Sequence, residues 1–153
     1  MIACLSLIVA ALLQGGAPAR GPLDPARGSL EMKTIEKGSD SAVDSAGQFT
    51  ARTQAEWTKL WRSHAWDRPL PKVDFARDMV LGVFMGSRPT AGFAVEIVGT
   101  RVQQGTLIVE YREIHPRADA ITAQILTAPY HLAAIPKFAG PVKFEKAEKP
   151  PDR

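Results

Sequence analysis

Arg88, Thr90 and Phe93 stand within six residues of one another in the run Gly86-Ser87-Arg88-Pro89-Thr90-Ala91-Gly92-Phe93. A guanidinium, a hydroxyl and an aromatic ring at this spacing suit recognition: the planar fork pairs with carboxylates, and an aromatic ring supplies a buried anchor. Pro89 fixes its own φ and pushes Arg88 toward extended backbone, while Gly86 and Gly92 admit angles closed to other residues. The sequence therefore predicts a loop that is stiff before docking and loses little entropy on binding. Its candidate binding residues are Arg88, Pro89, Thr90, Ala91, Gly92 and Phe93, with Arg88 and Thr90 expected to point outward. The same turn chemistry would also serve a plain connection between two strands.

Residues capable of bond-making chemistry are scattered. His64, His115 and His131 have no partner at metal-ligand spacing, no serine sits in a G-x-S-x-G elbow, and neither a Gly-Lys-Ser/Thr phosphate loop nor a G-x-G-x-x-G turn occurs. Asp74, Asp78, Glu96, Glu110 and Glu113 fall on or beside predicted strands, where Glu96 and Glu110 are expected to face basic cross-strand neighbours. The expectation is a chain that is not an enzyme, with no catalytic residues, no metal site and no cofactor.

The elements that position the loop follow from periodicity. Val80 to Met85 is an apolar run suited to a strand buried on both faces, and beyond the loop Phe93, Val95 and Ile97 share one face of a half-buried strand. That strand continues to about Val102, with Gly99 a bulge point, and Gln103-Gln104-Gly105-Thr106 turns it into a second strand through Tyr111. Upstream, Leu30 to Lys37 alternates as an edge strand, and Gln48 to Arg52 forms a short strand. Thr53-Gln54-Ala55-Glu56 has the capping-box form that starts an amphipathic helix carrying Trp57, Leu60, Trp61 and His64 on one face. That aromatic stripe reads as core; as an exposed platform it would stack sugars or bases. Pro69 and Pro71 stop the helix. Ile121 to Leu126 fits a strand or a helical turn, Tyr130 to Ile135 a strand, and Val142 to Lys146 a last edge strand. The predicted fold is α+β: a mainly antiparallel sheet, sandwich-like or open, carrying one helix near its N-terminal side.

The order Gly86, Arg88, Pro89, Thr90, Gly92, Phe93, Val95, Glu96, Ile97, then Pro116, then Thr127, Pro129 and Tyr130, resembles the C-terminal domain of the PrcB family, named for a protease complex subunit. The likeness covers about Val73 to Pro136, with a weaker match at Trp57, Leu60 and Trp61. Ala91 stands where the family usually has a second glycine, and Phe93 where it usually has tyrosine, which removes a phenolic hydroxyl. The resemblance implies an envelope-associated, non-catalytic module that joins a protease complex. Pro89, Thr90, Gly92 and Phe93 are also similar to the Pro-Thr-Thr-Gly-aromatic loop of chagasin-type cysteine protease inhibitors, so an inhibitor is the alternative. A third reading places function in the edge strand Leu30 to Lys37, adding to a partner's sheet.

With 153 residues, 45% of them hydrophobic and 23% charged, the chain is sized for one domain. A net charge of +3 spread along the chain leaves no basic stripe for nucleic acid. Residues 1–19 hold no charged side chain, an apolar run from Leu5 to Leu13, and Ala17-Pro18-Ala19 in signal-peptidase form. This predicts a cleaved signal peptide, because the run is far shorter than the ~20 residues that span a bilayer. The single Cys4 would leave with it, so no disulfide staples the mature fold. Residues 20–29 are expected to be a linker, 30–146 the folded domain and 147–153 a disordered tail. The expectation is an exported protein, periplasmic, extracellular or envelope-associated, without stable membrane insertion after cleavage, that binds a protein partner such as an envelope protease.

Overall fold

The computed structural model describes residues 29–148. The predicted signal peptide, the linker up to residue 28 and the tail from residue 149 lie outside the described residues. Seven strands and one helix follow in the order β1 (Lys33–Gly38), β2 (Ala46–Ala51), α1 (Gln54–Ala65), β3 (Asp78–Met85), β4 (Ala94–Gln103), β5 (Thr106–Ile114), β6 (Tyr130–Pro136) and β7 (Val142–Lys146). The fold is α+β. A four-stranded antiparallel sheet in the order β1-β6-β3-β2 packs against a three-stranded sheet in the order β4-β5-β7. β7 runs parallel to β5, a pairing that the antiparallel pattern read from the sequence did not contain.

β3 explains the architecture. Its sequence is apolar without alternation because both of its faces are covered. Met79, Leu81, Val83 and Met85 meet Val95 and Ile97 of β4, Leu107 and Val109 of β5 and Ala133 and Ile135 of β6 between the sheets. Val80 and Phe84, on the opposite face, meet Trp57, Leu60, Trp61 and Ala65 of α1 together with Tyr130 and Leu132. The layers are therefore sheet, sheet, helix. Thr53 caps α1 in the reciprocal box: its hydroxyl accepts from the Glu56 amide while Glu56 accepts from the Thr53 amide.

Two bulges adjust the layers. In β1 the register shifts between Thr34 and Glu36. Alternation sends Leu30 and Met32 between the sheets and Ile35 to the helix-side core, and the extra residue places Glu36 on the helix side as well, within reach of His64 and Arg68. In β4 the shift lies between Ile97 and Gly99. β4 is an edge strand, and two hydrogen bonds tie it across the sandwich. Ile97 N–H donates to His131 Nδ1 at 2.8 Å, and Thr100 Oγ1 accepts from Leu30 N–H at 3.1 Å. Gln104 and Gly105, both with positive φ, close the β4–β5 hairpin in the primed-turn geometry that matches strand twist.

Candidate functional site

Residues 86–93 join the two sheets, leaving β3 and entering β4. Gly86 adopts φ +73°, and a side chain there would stand 2.7 Å from the Ala46 nitrogen and 2.8 Å from the Asp44 carbonyl, so this turn is open to glycine alone. Ser87 is held at Asp44 through both its amide and its hydroxyl. The loop then lies along the segment that precedes β6. Arg88 N–H donates to the Thr127 carbonyl at 2.6 Å, Thr127 N–H returns to Arg88 O at 2.9 Å, and Thr127 Oγ1 donates to Thr90 O at 2.9 Å. Ala91 N–H donates to Ala123 O at 3.0 Å. Gly92 has φ +92° and sits against Pro116 and Thr122.

The side chains divide. Pro89 and Gly92 are exposed; Arg88, Thr90, Ala91 and Phe93 are half-buried. Phe93 packs on the core between the sheets and meets His115 edge-on at 5.4 Å. The Arg88 guanidinium stacks over the Phe93 ring at 5.8 Å, a cation–π contact, while its Nε is buried without a hydrogen-bond partner. None of the described hydrogen bonds engages the Arg88 guanidinium or the Thr90 hydroxyl. The loop's internal bonds are made by its backbone, and its one charged side chain rests on a ring instead of in an ion pair.

Ile121 to Leu126, which periodicity left between strand and helical turn, is neither. It is an irregular segment fixed by the loop's own backbone, and it carries Ile121 at 103%, Ile125 at 57% and Leu126 at 82% exposure. Three aliphatic chains this open on one short segment exceed the scattered apolar exposure of an ordinary surface. Sequence reasoning missed them because neither period fits; the signal was an apolar stretch that no period organised.

A second cluster gathers at the end of α1. His64, buried among Trp61, Phe84 and Tyr130, places Nδ1 2.8 Å from Ser41 Oγ and Nε2 3.2 Å from Glu36 Oε2. Arg68 pairs with Glu36 through Nη1 and lies 3.2 Å from His64 through Nη2. Burial holds the His64 pKa below the ordinary histidine value against the raising effect of Glu36, and burial pushes the Tyr130 phenol up to about 12. Hydroxyl, imidazole and carboxylate in sequence have the form of a nucleophile, base and orienter. Here Ser41 Oγ also accepts the Val43 amide, and the Ala42 amide is committed to the His64 carbonyl. Neither amide is left to stabilise an oxyanion beside Ser41.

The remaining groups fall where their sequence positions placed them. Glu96 lies opposite Arg112 and also pairs with Lys37; these two cations hold its pKa below the usual carboxylate range. Glu110 pairs with Arg101. Among the described residues no group of histidine, cysteine and carboxylate side chains could hold a metal, and no helix is long and apolar enough to cross a membrane.

Fold and loop together define an α+β domain of two packed sheets with a helix on one outer face and a glycine-bounded Arg-Pro-Thr loop between the sheets. Residues 79–136 match the family model described as PrcB C-terminal, the family to which the loop motif pointed. The matched span runs from β3 through β6 and contains the loop and the segment stapled to it, but is less than half of the chain. No curated protein and no solved structure matches the chain.

Proposed function

We propose that this chain is an exported, non-catalytic binding module of the cell envelope that docks a protein partner, an envelope protease complex being the partner its family points to. The observation that carries this reading is the exposed trio Ile121, Ile125 and Leu126, on a segment hydrogen-bonded to the Arg88–Phe93 loop. Aliphatic side chains of this exposure, gathered on one short segment, supply apolar area of the kind that the core of an interface buries. The backbone pairing of Arg88 with Thr127 and of Ala91 with Ala123 sets the surface before any partner arrives, which lowers the ordering cost of association.

Capture from the native envelope fraction by the tagged domain tests the reading. Ile121→Asp, Leu126→Asp and Arg88→Ala are each expected to weaken capture of the same partner by about tenfold or more, consistent with a contribution of ~1.4 kcal/mol or more at each. Lys59→Ala, on the outer face of α1, should leave it unchanged. Capture indifferent to all three loop-side changes would remove this surface from the mechanism.

A further inference from the structure

We infer that two copies of this chain join through β2, edge to edge and antiparallel about a twofold axis, so that their larger sheets become one continuous sheet. A sheet edge is a row of unpaired amides and carbonyls, and folded proteins guard it with charge, bulges or brevity. The two sheets have four edges, β1, β2, β4 and β7. β1 carries Lys33, Glu36, Lys37 and a bulge, β4 carries Glu96, Arg101 and a bulge, and three of the five residues of β7 are charged. β2 has no such guard. Its six residues, Ala-Gly-Gln-Phe-Thr-Ala, include no charge and no proline, and their register with β3 runs unbroken from Ala46–Met85 to Ala51–Val80. Phe49 in its middle is 41% exposed.

The register of the joint follows from which backbone groups point outward. Met85 N–H donates to the Pro129 carbonyl, on the β6 side of β3, and backbone direction alternates along a strand, so Val80, Gly82 and Phe84 are the residues that face β2. They occupy Ala51, Phe49 and Gly47, which leaves Ala46, Gln48 and Thr50 with amides and carbonyls aimed away from the sheet. None of the described hydrogen bonds engages those groups. Beyond them the row is closed, because Arg52 N–H donates to Glu56 and the Asp44 carbonyl accepts from Ser87. Setting Gln48 against Gln48 of a second copy places Ala46 opposite Thr50 on both sides of the axis, and every outward amide and carbonyl of the strand finds a partner. The neighbouring registers set Ala46 against Arg52 or Thr50 against Asp44, whose backbone groups are already taken. Side chains agree with the same register. Asp44 of each copy stands opposite Arg52 of the other, and none of the described ion pairs engages either: Asp44 accepts from the Ser87 hydroxyl, and Arg52 gives Nη2 to the Gly140 carbonyl while its Nε is buried without a partner. Phe49 stands opposite Gly47, where an aromatic ring covers backbone that glycine leaves bare. The patch is thus complementary to itself, as an interface on a twofold axis must be. It includes none of Ile121, Ile125 and Leu126, so it stands apart from the partner-docking surface.

Sedimentation equilibrium of the purified chain, from about 1 µM to about 1 mM and under reducing conditions so that Cys4 cannot bridge copies, tests the joint. A reversible dimer with a Kd on the order of 100 µM is expected from one pair of short strands. Gln48→Pro removes an outward amide, a change an edge strand tolerates, and should weaken the dimer at least about tenfold. Asp44→Arg and Arg52→Asp should each weaken it by about tenfold, and the two combined should restore it, because the opposed charges are then exchanged. That pair decides the question even where the proline variant fails to fold. Hydrogen exchange followed by NMR reads the register: the amides of Ala46, Gln48 and Thr50 should slow as concentration rises, while those of Gly47, Phe49 and Ala51 are slow throughout. A chain still monomeric at about 1 mM would overturn the joint. So would a dimer that survives Gln48→Pro, or charge exchange that fails to restore association.

Discussion

Gly86 and Gly105 have nearly the same backbone angle, φ +73° and +74°, yet they stand in different surroundings. A side chain at Gly105 meets nothing within 4 Å, whereas at Gly86 it runs into the backbone of Ala46 and Asp44. Gly105→Ala should therefore cost only the left-handed backbone penalty of about 1–2 kcal/mol. Gly86→Ala should cost about 1–3 kcal/mol more, because backbone atoms must move as well. Urea unfolding of the two variants measures the difference; equal midpoints would mean that the turn after β3 is not held as described. The loop's glycines and proline were legible in the sequence because their constraint is local. The disposition of Arg88 was not legible: whether a guanidinium points to solvent or lies over Phe93 depends on a ring five residues away and on the sheet beneath it.

The helix and the sheet core give two more expectations. Trp57 is fully buried and bonds Pro71, so Trp57→Ala should destabilise the domain by about 3–5 kcal/mol, read as a lowered urea midpoint or Tm. An unchanged transition would contradict the core assignment. His131 ties the two sheets together. Its Nδ1 must be unprotonated to accept Ile97 N–H, which places the proton on Nε2, facing Thr34 Oγ1 at 2.9 Å. Burial, then Lys37, hold its pKa below the ordinary value of 6.5, and burial does the same for His64. As pH falls through 6.5 the unfolded chain takes up these protons while the folded chain does not, so stability should decline toward pH 5 and be flat above about pH 7.5. The carboxylates with lowered pKa, Glu56, Glu96, Glu113 and Glu145, lose their contribution only below the ordinary carboxylate value of 4.5, outside that window. A urea midpoint as high at pH 5 as at pH 7.5 would contradict the assignment of both histidines as buried and neutral. The capping box, the Trp57–His64 stripe and the unbroken apolar run of β3 could all be read in advance, since each is a short-range pattern. The parallel docking of β7 and the irregular course of Ile121 to Leu126 could not, because long-range pairing alone decides them.

At the scale of the whole molecule, the sandwich uses its interior for stability, and the 127–128 segment before β6 is pinned on both sides. Thr127 pairs with Arg88 on one side, and Ala128 pairs with Ser39 and Ser41 on the other, so one stretch of chain before β6 anchors both the 86–93 loop and the chain that follows β1. The family match covers that stretch and the loop, while β1 and α1 lie outside it. The surface proposed to dock a partner thus belongs to the part of the chain that the family model matches.

Photo-crosslinking in the producing cell tests the central claim most directly, with a benzophenone-bearing residue placed at Leu126, at Ile121 or, as a control, at Lys59. One discrete protein adduct is expected from Leu126 and Ile121, lost when Arg88→Ala is added, and none from Lys59. Absence of any adduct from the two aliphatic positions, or the same adduct from Lys59, would contradict it.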